Sequence, residues 1–286
     1  MPEHIFFHYD VAYKANGMEK FKIVKPPHYG WIADPFLINY EDELYLFAEI
    51  FLYKSERCGV IGYAKFKDNH FSDWTVTLDK HWHLSYPNVY IENGKLYMCP
   101  EAYQSEEVSV YELVAFPDKW KKVKTYITNV EYCDSTFLNI GDTKYMFTFE
   151  RKTSGSDGNG LLCSIVDDKV KEKKLISNSP EGARPAGNII RRYNKYIRVA
   201  QNCVPSYGSG LIFFEIDELW PEYREHEIKR LTVSDIQSEW VDKYCGIHTY
   251  NEFDGITVVD LKKATYSNEE YEAQQRVRQV FKDKYR

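Results

Sequence analysis

The sequence predicts an all-β fold, a five-bladed β-propeller with a short C-terminal helix, and three observations support this. Related phrases return at roughly fifty-residue spacing, which is typical of propeller repeats. Each phrase joins a polar residue at the opening of one strand to a turn and a second, apolar strand. Aromatic residues, which favour strands and pack well between sheets, make up 16% of the chain. We therefore expect units of four short strands arranged around a central axis.

The five repeated phrases locate the strand that opens each unit. They are Trp31-Ile-Ala-Asp34-Pro35, Ser85-Tyr-Pro-Asn88, Cys133-Asp134-Ser135, Ala183-Arg184-Pro185 and Cys245-Gly-Ile-His248. In a propeller the opening strand of each blade lies next to the axis, so these polar residues are expected to face one cleft. An aspartate before proline often only caps a turn. Because Asp134 repeats Asp34 at the same point of another unit, we interpret both as functional residues.

One domain is expected to span residues 1–286, since no segment between the units has the composition of a linker. The predicted blades cover approximately residues 30–70, 74–125, 128–176, 178–231 and 240–263. The stretch from Phe21 to Val24 is predicted to be the N-terminal strand that closes the ring. The tail from Ser267 to Phe281 has a serine or asparagine cap and early acids, so it is predicted to be a helix packed on the outside.

Composition narrows the range of partners and compartments. A net charge of −6 disfavours a nucleic-acid partner. The first residues lack the basic start and apolar core of a secretory signal, and no apolar run reaches about eighteen residues, so a cytoplasmic location is predicted. The six cysteines lack the spacing of a zinc site and are expected to be reduced thiols. The basic runs at 119–124 and 171–174 are predicted to lie on solvated outer strands, where they could also contact a membrane surface.

An ordered set of short motifs extends over roughly residues 30–260. The motifs are Ala33-Asp34-Pro35-Phe36, Ser85-Tyr86-Pro87, Pro100-Glu101, Asp134-Ser135, Arg184-Pro185-Ala186-Gly187, Arg198-Val-Ala-Gln201, Tyr207-Gly208 and Gly246-Ile-His248. The specificity lies in their order, since none is specific alone. In this order they resemble the N-terminal domain of glucosamine inositolphosphorylceramide transferase and its bacterial single-domain relatives.

A wider resemblance connects the chain with the five-bladed propeller glycoside hydrolases that cleave arabinans and xylosides. That clan has a base aspartate in the first blade, an orienting aspartate in the third and an acid glutamate in the fourth. Asp34 and Asp134 match the two aspartates, whereas Arg184 stands where the acid is expected and Glu181 lies three residues upstream. The resemblance also implies that His248 lies beneath the cleft, where the hydrolases sometimes bind a cation. No tightly bound metal is predicted, because His248 has no second histidine at ligand spacing.

The arginine in place of the acid leads to the functional prediction. Inverting glycoside hydrolysis needs a carboxylic acid to protonate the leaving oxygen, whereas a phosphate leaves as a stable anion and needs positive charge instead. Arg184 and Arg198, together with Gln201, are predicted to bind phosphate oxygens through their planar donors. Asp34 or Asp134 would deprotonate an acceptor hydroxyl. The sequence thus predicts a glycosyltransferase of polysaccharide or glycolipid biosynthesis, and the furanoside-cleaving relatives suggest a pentofuranosyl or phosphoribosyl donor by analogy.

Two alternatives stay open at this point. One is an inverting glycoside hydrolase for furanosides or xylosides, with Asp34 as base and Glu101 or Glu181 as acid. The other is a propeller that binds a glycan without turnover. In a further interpretation, Arg184 and Arg198 have a structural role only. Each would form an ion pair with a carboxylate such as Glu101 or Glu49 and so connect two blades.

The remaining candidates concern substrate binding and partners. Further side chains predicted to contact or stack on a substrate are Trp31, Glu49, Tyr86, Asn88, Tyr207 and His248. The expected partners are a sugar-phosphate donor, a glycan acceptor, and a further enzyme or domain that completes the pathway. No cofactor is assigned, although a divalent cation could accompany a phosphorylated donor.

Overall fold

The computed structural model of the chain describes residues 5–53 and 59–266, together with positions 268, 271, 272, 275, 276, 279 and 283. Over these residues the strands form five separate sheets of four or five strands each, paired in antiparallel fashion. Each sheet contacts the next one around the ring. The structure therefore confirms the predicted five-bladed β-propeller.

The strands follow the chain blade by blade. Two strands precede the first blade, β1 (Phe6–Lys14) and β2 (Lys22–Ile23). Blade 1 contains β3 (Gly30–Tyr40), β4 (Glu43–Leu52), β5 (Gly59–Lys67), β6 (His70–Phe71) and β7 (Thr75–Leu78). Blade 2 contains β8 (Ser85–Glu92), β9 (Lys95–Glu101), β10 (Glu107–Ala115) and β11 (Lys119–Thr128).

The second half of the chain builds the other three blades. Blade 3 contains β12 (Tyr132–Ile140), β13 (Thr143–Ser154), β14 (Asp157–Val166) and β15 (Lys169–Ser177). Blade 4 contains β16 (Glu181–Pro185), β17 (Ile190–Arg192), β18 (Lys195–Asn202), β19 (Gly210–Glu218) and β20 (Arg224–Leu231). Blade 5 combines β21 (Gly246–Phe253) and β22 (Ile256–Thr265) with β1 and β2. Short 3-10 turns lie at Tyr103–Ser105, Val233–Asp235 and Val241–Lys243.

The ring closes through β1, which completes blade 5 from the other end of the chain. β1 pairs with β22 along its whole length, from Phe6 opposite Thr265 to Lys14 opposite Thr257, and β2 pairs only with β1. The prediction that residues 21–24 close the ring is therefore wrong. Burial explains the choice, because Val11 within β1 is fully buried whereas β2 is exposed or half-buried.

Two further predictions can be compared with the sheets, namely the start of the second unit and the position of the basic runs. β7 pairs with β5, so blade 1 extends to Leu78 and the predicted start of the second unit at 74 is wrong. The two basic runs lie on β11 and β15, which are the outermost strands of blades 2 and 3. Their predicted position on solvated outer strands is confirmed.

The hydrophobic core lies between the blades, and β3 shows how the sequence creates it. Nine of its eleven residues are buried. Leu37 joins an apolar cluster with Val258 of blade 5, whereas Phe36 joins a cluster with Met98 of blade 2. Each such side chain contributes roughly 1.5–3 kcal/mol when fully buried. The inner strand is apolar on both faces because a blade packs on each of them.

A β-bulge interrupts every inner strand close to the polar residue of the repeated phrase. Pairing with the second strand breaks between residues 33 and 36, 85 and 88, 133 and 136, 181 and 185, and 247 and 250. Asp34, Tyr86 and Asp134 are the first bulged residues of blades 1 to 3, with φ angles of 52°, 42° and 53°. A bulge bends the strand and redirects its side chain. The repeat therefore brings these polar groups toward the centre of the ring.

The described residues of the C-terminal segment have helical conformation, as predicted. Among the residues that the structure describes, no helix has the length and apolar character needed to traverse a lipid bilayer. The five described cysteines are free thiols, and Cys58 lies outside the described residues.

Candidate active site

A central cavity of about 570 Å³ receives side chains from all five blades. Asp34 of blade 1, Glu101 of blade 2, Arg151 of blade 3, Arg184 of blade 4 and His248 of blade 5 all line it. Its wall carries carboxylate, guanidinium and imidazole groups beside aromatic rings. This concave, mixed surface is typical of a small-molecule site.

Asp34 is held in one orientation by backbone and side-chain donors from its two neighbouring blades. Its Oδ2 accepts a hydrogen bond from the Tyr86 backbone N–H at 3.1 Å, and its Oδ1 accepts one from the Thr249 hydroxyl at 2.7 Å. Burial raises the pKa of Asp34 to about 6, an effect that the nearby His248 partly offsets. The carboxylate is therefore both oriented and more basic than an exposed aspartate.

Asp260 fixes the two bulges on either side of the junction between blades 5 and 1. Its carboxylate accepts the backbone N–H groups of Asp34, His248 and Thr249 at 2.8–3.1 Å. Bulged residues lose their partners in the strand ladder, and a buried N–H without a partner costs about 1–3 kcal/mol. Asp260 supplies those partners and so stabilises the local backbone that presents Asp34.

His248 lies between the two aspartates. Its Nδ1 is 2.6 Å from Asp260 and its Nε2 is 3.8 Å from Asp34, while its ring stacks on Tyr9 with 4.4 Å between centroids. Burial lowers the pKa of His248, but the surrounding carboxylates, Asp260 foremost, together outweigh burial and the net pKa is raised. A cationic imidazole beside Asp34 favours the ionised form of that carboxyl group.

Arg184 is tied to carboxylates of two other blades. Its Nε lies 2.5 Å from Asp134 Oδ2, and its Nη2 donates to Asp134 Oδ1 at 3.3 Å and to Glu101 Oε2 at 3.2 Å. Its Nη1 donates to the Gly155 carbonyl at 2.9 Å, and its guanidinium packs over the Tyr207 ring at 5.0 Å. The predicted ion pair between blades is thus present, and the arginine charge is already compensated within the protein.

Two buried glutamates form the acidic part of the cavity wall. Burial raises the pKa of Glu101 well above its ordinary value, and the neighbouring Asp134 charge adds to this. Burial likewise raises the pKa of Glu49, with Asp34 contributing next. Both groups therefore favour the protonated form and can act as hydrogen-bond donors or acids.

The structure brings most of the sequence-predicted site residues to the cavity wall. Those that line the cavity are Trp31, Asp34, Glu49, Glu101, Arg184, Tyr207 and His248. Those that are buried without lining it are Tyr86, Asn88, Asp134 and Gln201. The Tyr86 hydroxyl donates to the Gly187 carbonyl and accepts from the Gly187 N–H, so its predicted stacking on a sugar is not what the structure shows. Asn88 bonds Asn188 at 2.7 Å, and Gln201 donates to Asp134 at 3.2 Å.

Arg198 lies away from the cavity wall, contrary to its predicted role beside Gln201. Its guanidinium donates to Glu225 on the outermost strand of blade 4 and to the Gly182 carbonyl, and it packs over Phe214. Side chains three residues apart on a strand point to opposite faces of the sheet. Gln201 faces the hub, so Arg198 has to face the other way.

The cavity also contains residues that sequence reasoning did not assign to the site. Lys262, His83, Arg151 and Tyr9 line the wall, and Asp260 is buried below it. Asp260 and Lys262 flank Leu261 directly after the apolar run from Val258 to Val259, and charged residues inside such a segment are a signal that could have found them. No pattern in the sequence marks Tyr9 or His83. Tyr9 reaches the cavity because β1 closes the ring, and His83 lies in a loop.

The C-terminal helix reaches the cavity as well. Tyr271 and Gln275 of this segment contribute to its wall. The helix is predicted to pack on the outside and not to carry chemistry. These two residues bring it to the cavity wall, and the part of the prediction that concerns chemistry stays a prediction.

A cation site can be tested at the group of Asp34, His248 and Asp260, whose ligand atoms lie within 4.8 Å of one another. Asp260 already accepts three backbone N–H groups, and Asp34 accepts the Tyr86 N–H and the Thr249 hydroxyl. These oxygens already accept hydrogen bonds from N–H and O–H groups, and the partial positive charge on those hydrogens repels a cation. The donor set therefore fits a hydrogen-bonded support for Asp34 better than a metal site.

Comparison with known proteins places the sequence in a family. The family model described as glucosamine inositolphosphorylceramide transferase 1, N-terminal, matches residues 24–251. The glucosamine inositolphosphorylceramide transferase 1 of Arabidopsis thaliana is 33% identical over 212 residues, which cover 69% of this chain and 27% of that protein. The protein of the same name from Oryza sativa subsp. indica is 28% identical over 207 residues, or 68% of this chain and 27% of the relative.

Solved structures with a similar fold are carbohydrate-cleaving enzymes. The catalytic domain of the GH62 α-L-arabinofuranosidase of Coprinopsis cinerea has a TM-score of 0.61 at 11% identity, covering 91% of this chain and 98% of that one. The RS223 β-xylosidase has a TM-score of 0.56 at 13% identity, with 86% and 97% covered. At these identities the similarity concerns the fold alone.

The family match covers the part of the chain that contains the candidate catalytic residues of the cavity. The chain spans only about a quarter of the length of the curated relatives, 27% in each case, and its match lies in the region that builds the five blades. The matched region includes Asp34, Asp134, Arg184 and His248. This chain belongs to the family described as glucosamine inositolphosphorylceramide transferase 1, N-terminal.

Proposed function

We propose that this protein transfers a glycosyl unit from a phosphate-activated donor to a hydroxyl group, with Asp34 as the general base. The observation that carries the proposal is the environment of Asp34 in the central cavity. Burial raises its pKa to about 6, so it is ionised at neutral pH and still basic enough to accept a proton. A base of this kind contributes about a hundredfold to ten-thousandfold to a reaction rate.

The surroundings of Asp34 suit the proton transfer. The Tyr86 N–H and the Thr249 hydroxyl fix the carboxylate, and each oxygen keeps a further lone pair for an incoming hydroxyl. His248 and Asp260 support this geometry from below. When the acceptor proton moves to Asp34, the acceptor oxygen forms the new bond to the anomeric carbon and the phosphate departs with the bonding electron pair.

The fourth blade supports a leaving group that needs no proton. Arg184 occupies the bulge of this blade, and no carboxyl group of the inner strand β16 lines the cavity. A phosphate or diphosphate departs as a stable anion, whereas a sugar alkoxide needs an acid. The names of the curated relatives, glucosamine inositolphosphorylceramide transferase, also favour transfer. A pentofuranosyl or phosphoribosyl donor and a role in polysaccharide or glycolipid synthesis are the finer parts of this proposal.

Inverting glycoside hydrolysis is the second candidate, and one observation favours it. Glu49 and Glu101 line the cavity with pKa values raised by burial, so either could protonate a leaving oxygen while Asp34 activates water. The Glu49 Oε1 atom lies 3.7 Å from His83 Nε2 and has no hydrogen-bond partner among the described residues, so it can form a hydrogen bond to a substrate.

A parallel assay separates the two functions. Purified protein is incubated with phosphoribosyl diphosphate and a panel of nucleotide sugars, with free inositol and short glycans as acceptors, and released diphosphate and product masses are measured. The same protein is incubated with 4-nitrophenyl arabinofuranoside and xyloside. Transfer predicts product from a phosphate-activated donor and a loss of about a hundredfold or more in Asp34→Asn.

The control for this assay is Asp68→Asn, a substitution of an exposed aspartate in a turn. It should leave turnover unchanged. Cleavage of the nitrophenyl glycosides that depends on Asp34 and on Glu49 or Glu101, without any donor use, would replace the transferase proposal with the hydrolase one.

A further inference from the structure

Lys262 is a buried lysine whose ammonium group has only uncharged partners among the described residues. The side chain lines the cavity and the residue is 4% exposed. Its Nζ donates to the Tyr207 carbonyl at 2.6 Å and to the Ser206 hydroxyl at 3.3 Å, and it lies 4.2 Å from the centroid of the Phe7 ring. These contacts use two of its three N–H donors.

A buried ammonium without an opposite charge is costly, so its presence in a cavity points to an anionic ligand. Two other buried cations of the chain, Arg184 and Arg198, differ in this respect. Arg184 is held by Asp134 and Glu101, and Arg198 is held by Glu225. Burial lowers the pKa of Lys262, which a bound anion would reverse.

The backbone around Lys262 is fixed before any ligand arrives. Gly208 has a φ of 67°, and its carbonyl accepts the Ile247 N–H at 3.0 Å. A Cβ atom at Gly246 would lie 2.1 Å from that carbonyl, so only glycine allows this approach. The close contact holds the loop with the Tyr207 carbonyl and Ser206 against Lys262.

The Lys262 region is continuous with the reaction centre. The Tyr207 ring packs against the Arg184 guanidinium at 5.0 Å and against the His248 ring at 5.4 Å. The His248 Nε2 is in turn 3.8 Å from Asp34. An anion at Lys262 therefore lies on the blade 4 and blade 5 side of the cavity that contains the proposed base.

We propose that Lys262 and Ser206 form a phosphate-binding subsite of this cavity. A phosphate group offers several oxygens at once, so it can accept the third Nζ hydrogen and the Ser206 hydroxyl together. This inference rests on the proposed function, which requires positive charge near the departing phosphate. Lys262 supplies that charge, because the charge of Arg184 is already neutralised within the protein. The phosphate belongs either to the donor leaving group or to a phosphorylated acceptor.

The test measures binding of inorganic pyrophosphate, UDP and glycerol 1-phosphate by isothermal titration calorimetry. Lys262→Met keeps the length of the side chain and removes its charge. Lys263→Met is the matched control, because Lys263 is the next residue on the strand, faces the other way and is partly exposed. We expect Lys262→Met to weaken binding about tenfold to hundredfold and Ser206→Ala to weaken it about twofold to tenfold, with no change in Lys263→Met.

The pattern across the probes identifies the source of the phosphate. A Lys262-dependent loss for pyrophosphate and UDP assigns the subsite to the donor, whereas a loss confined to glycerol 1-phosphate assigns it to an acceptor. Wild-type protein that binds none of the probes, or Lys262→Met protein that keeps its melting temperature and binds all of them normally, would overturn the inference.

The binding and transfer measurements distinguish a failure of the subsite inference from a failure of the proposed function. Lys262-dependent phosphate binding without any glycosyl transfer would leave the subsite standing and reject the transferase. Glycosyl transfer by Lys262→Met protein with an unchanged KM for the donor and the acceptor would reject the subsite and leave the transferase proposal standing.

Discussion

Replacing Asp34 with asparagine should abolish turnover and at the same time make the protein more stable at neutral pH. Burial raises the pKa of this carboxyl group from 3.8 to about 6, so folding makes its ionisation less favourable. At 1.36 kcal/mol for each pKa step, this difference corresponds to about 3 kcal/mol. The neutral amide avoids that cost.

The local structure accepts the substitution. Asparagine tolerates the left-handed backbone at φ 52° better than most residues. Its carbonyl oxygen can accept the Tyr86 N–H, and its amide can donate to the Thr249 hydroxyl, which only has to rotate. The gain therefore comes from the charge and not from a change of packing.

The sign of the pH dependence follows from the raised pKa. Above pH 6, wild-type Asp34 is ionised in both states and the folded protein carries the full cost, so Asp34→Asn should be more stable by about 3 kcal/mol. As the pH falls toward 3.8, folded Asp34 is protonated, and the advantage should shrink to about 1 kcal/mol near pH 4.5. For a chain of this size we expect a rise in Tm of about 5 °C at pH 8.

Urea denaturation followed by circular dichroism at pH 8, 6 and 4.5 measures this difference. Asp68→Asn is the control, because Asp68 has a similar φ of 51° but is exposed, so it isolates the preference of asparagine for that backbone. Equal stability of Asp34→Asn and wild type at pH 8, or an advantage that does not change with pH, would refute the reasoning about the buried charge.

Three further substitutions test buried polar contacts of the blades. Arg184→Ala leaves the buried Asp134 carboxylate without its cation, so urea denaturation should show a loss of about 3–5 kcal/mol. Tyr86→Phe removes the acceptor of the Gly187 N–H and should lower the free energy of unfolding by about 1–3 kcal/mol, measured in the same way. Arg198→Met leaves Glu225 unpaired and should lower stability, while calorimetry of the folded variant should show unchanged affinity for pyrophosphate because Arg198 does not line the cavity.

The sequence alone determined the architecture and the first part of the site. A repeat of one polar residue followed by two apolar strands buries its surface by packing against copies of itself, and a period near fifty residues with four strands in each unit is typical of a propeller. The same repeat marks Asp34, Asp134 and Arg184 at equivalent points of different blades. It therefore predicted which inner-strand residues converge on the axis.

The tertiary structure decided how these groups are used. Whether Arg184 is open to a phosphate or bound to Asp134 depends on distances between blades that no local pattern contains. Lys262 faces the cavity without an opposite charge because ring closure places β22 between β1 and β21 and sets the Tyr207 loop against it. Charge pairing and desolvation are properties of three-dimensional neighbours, whereas strand periodicity is a property of the chain.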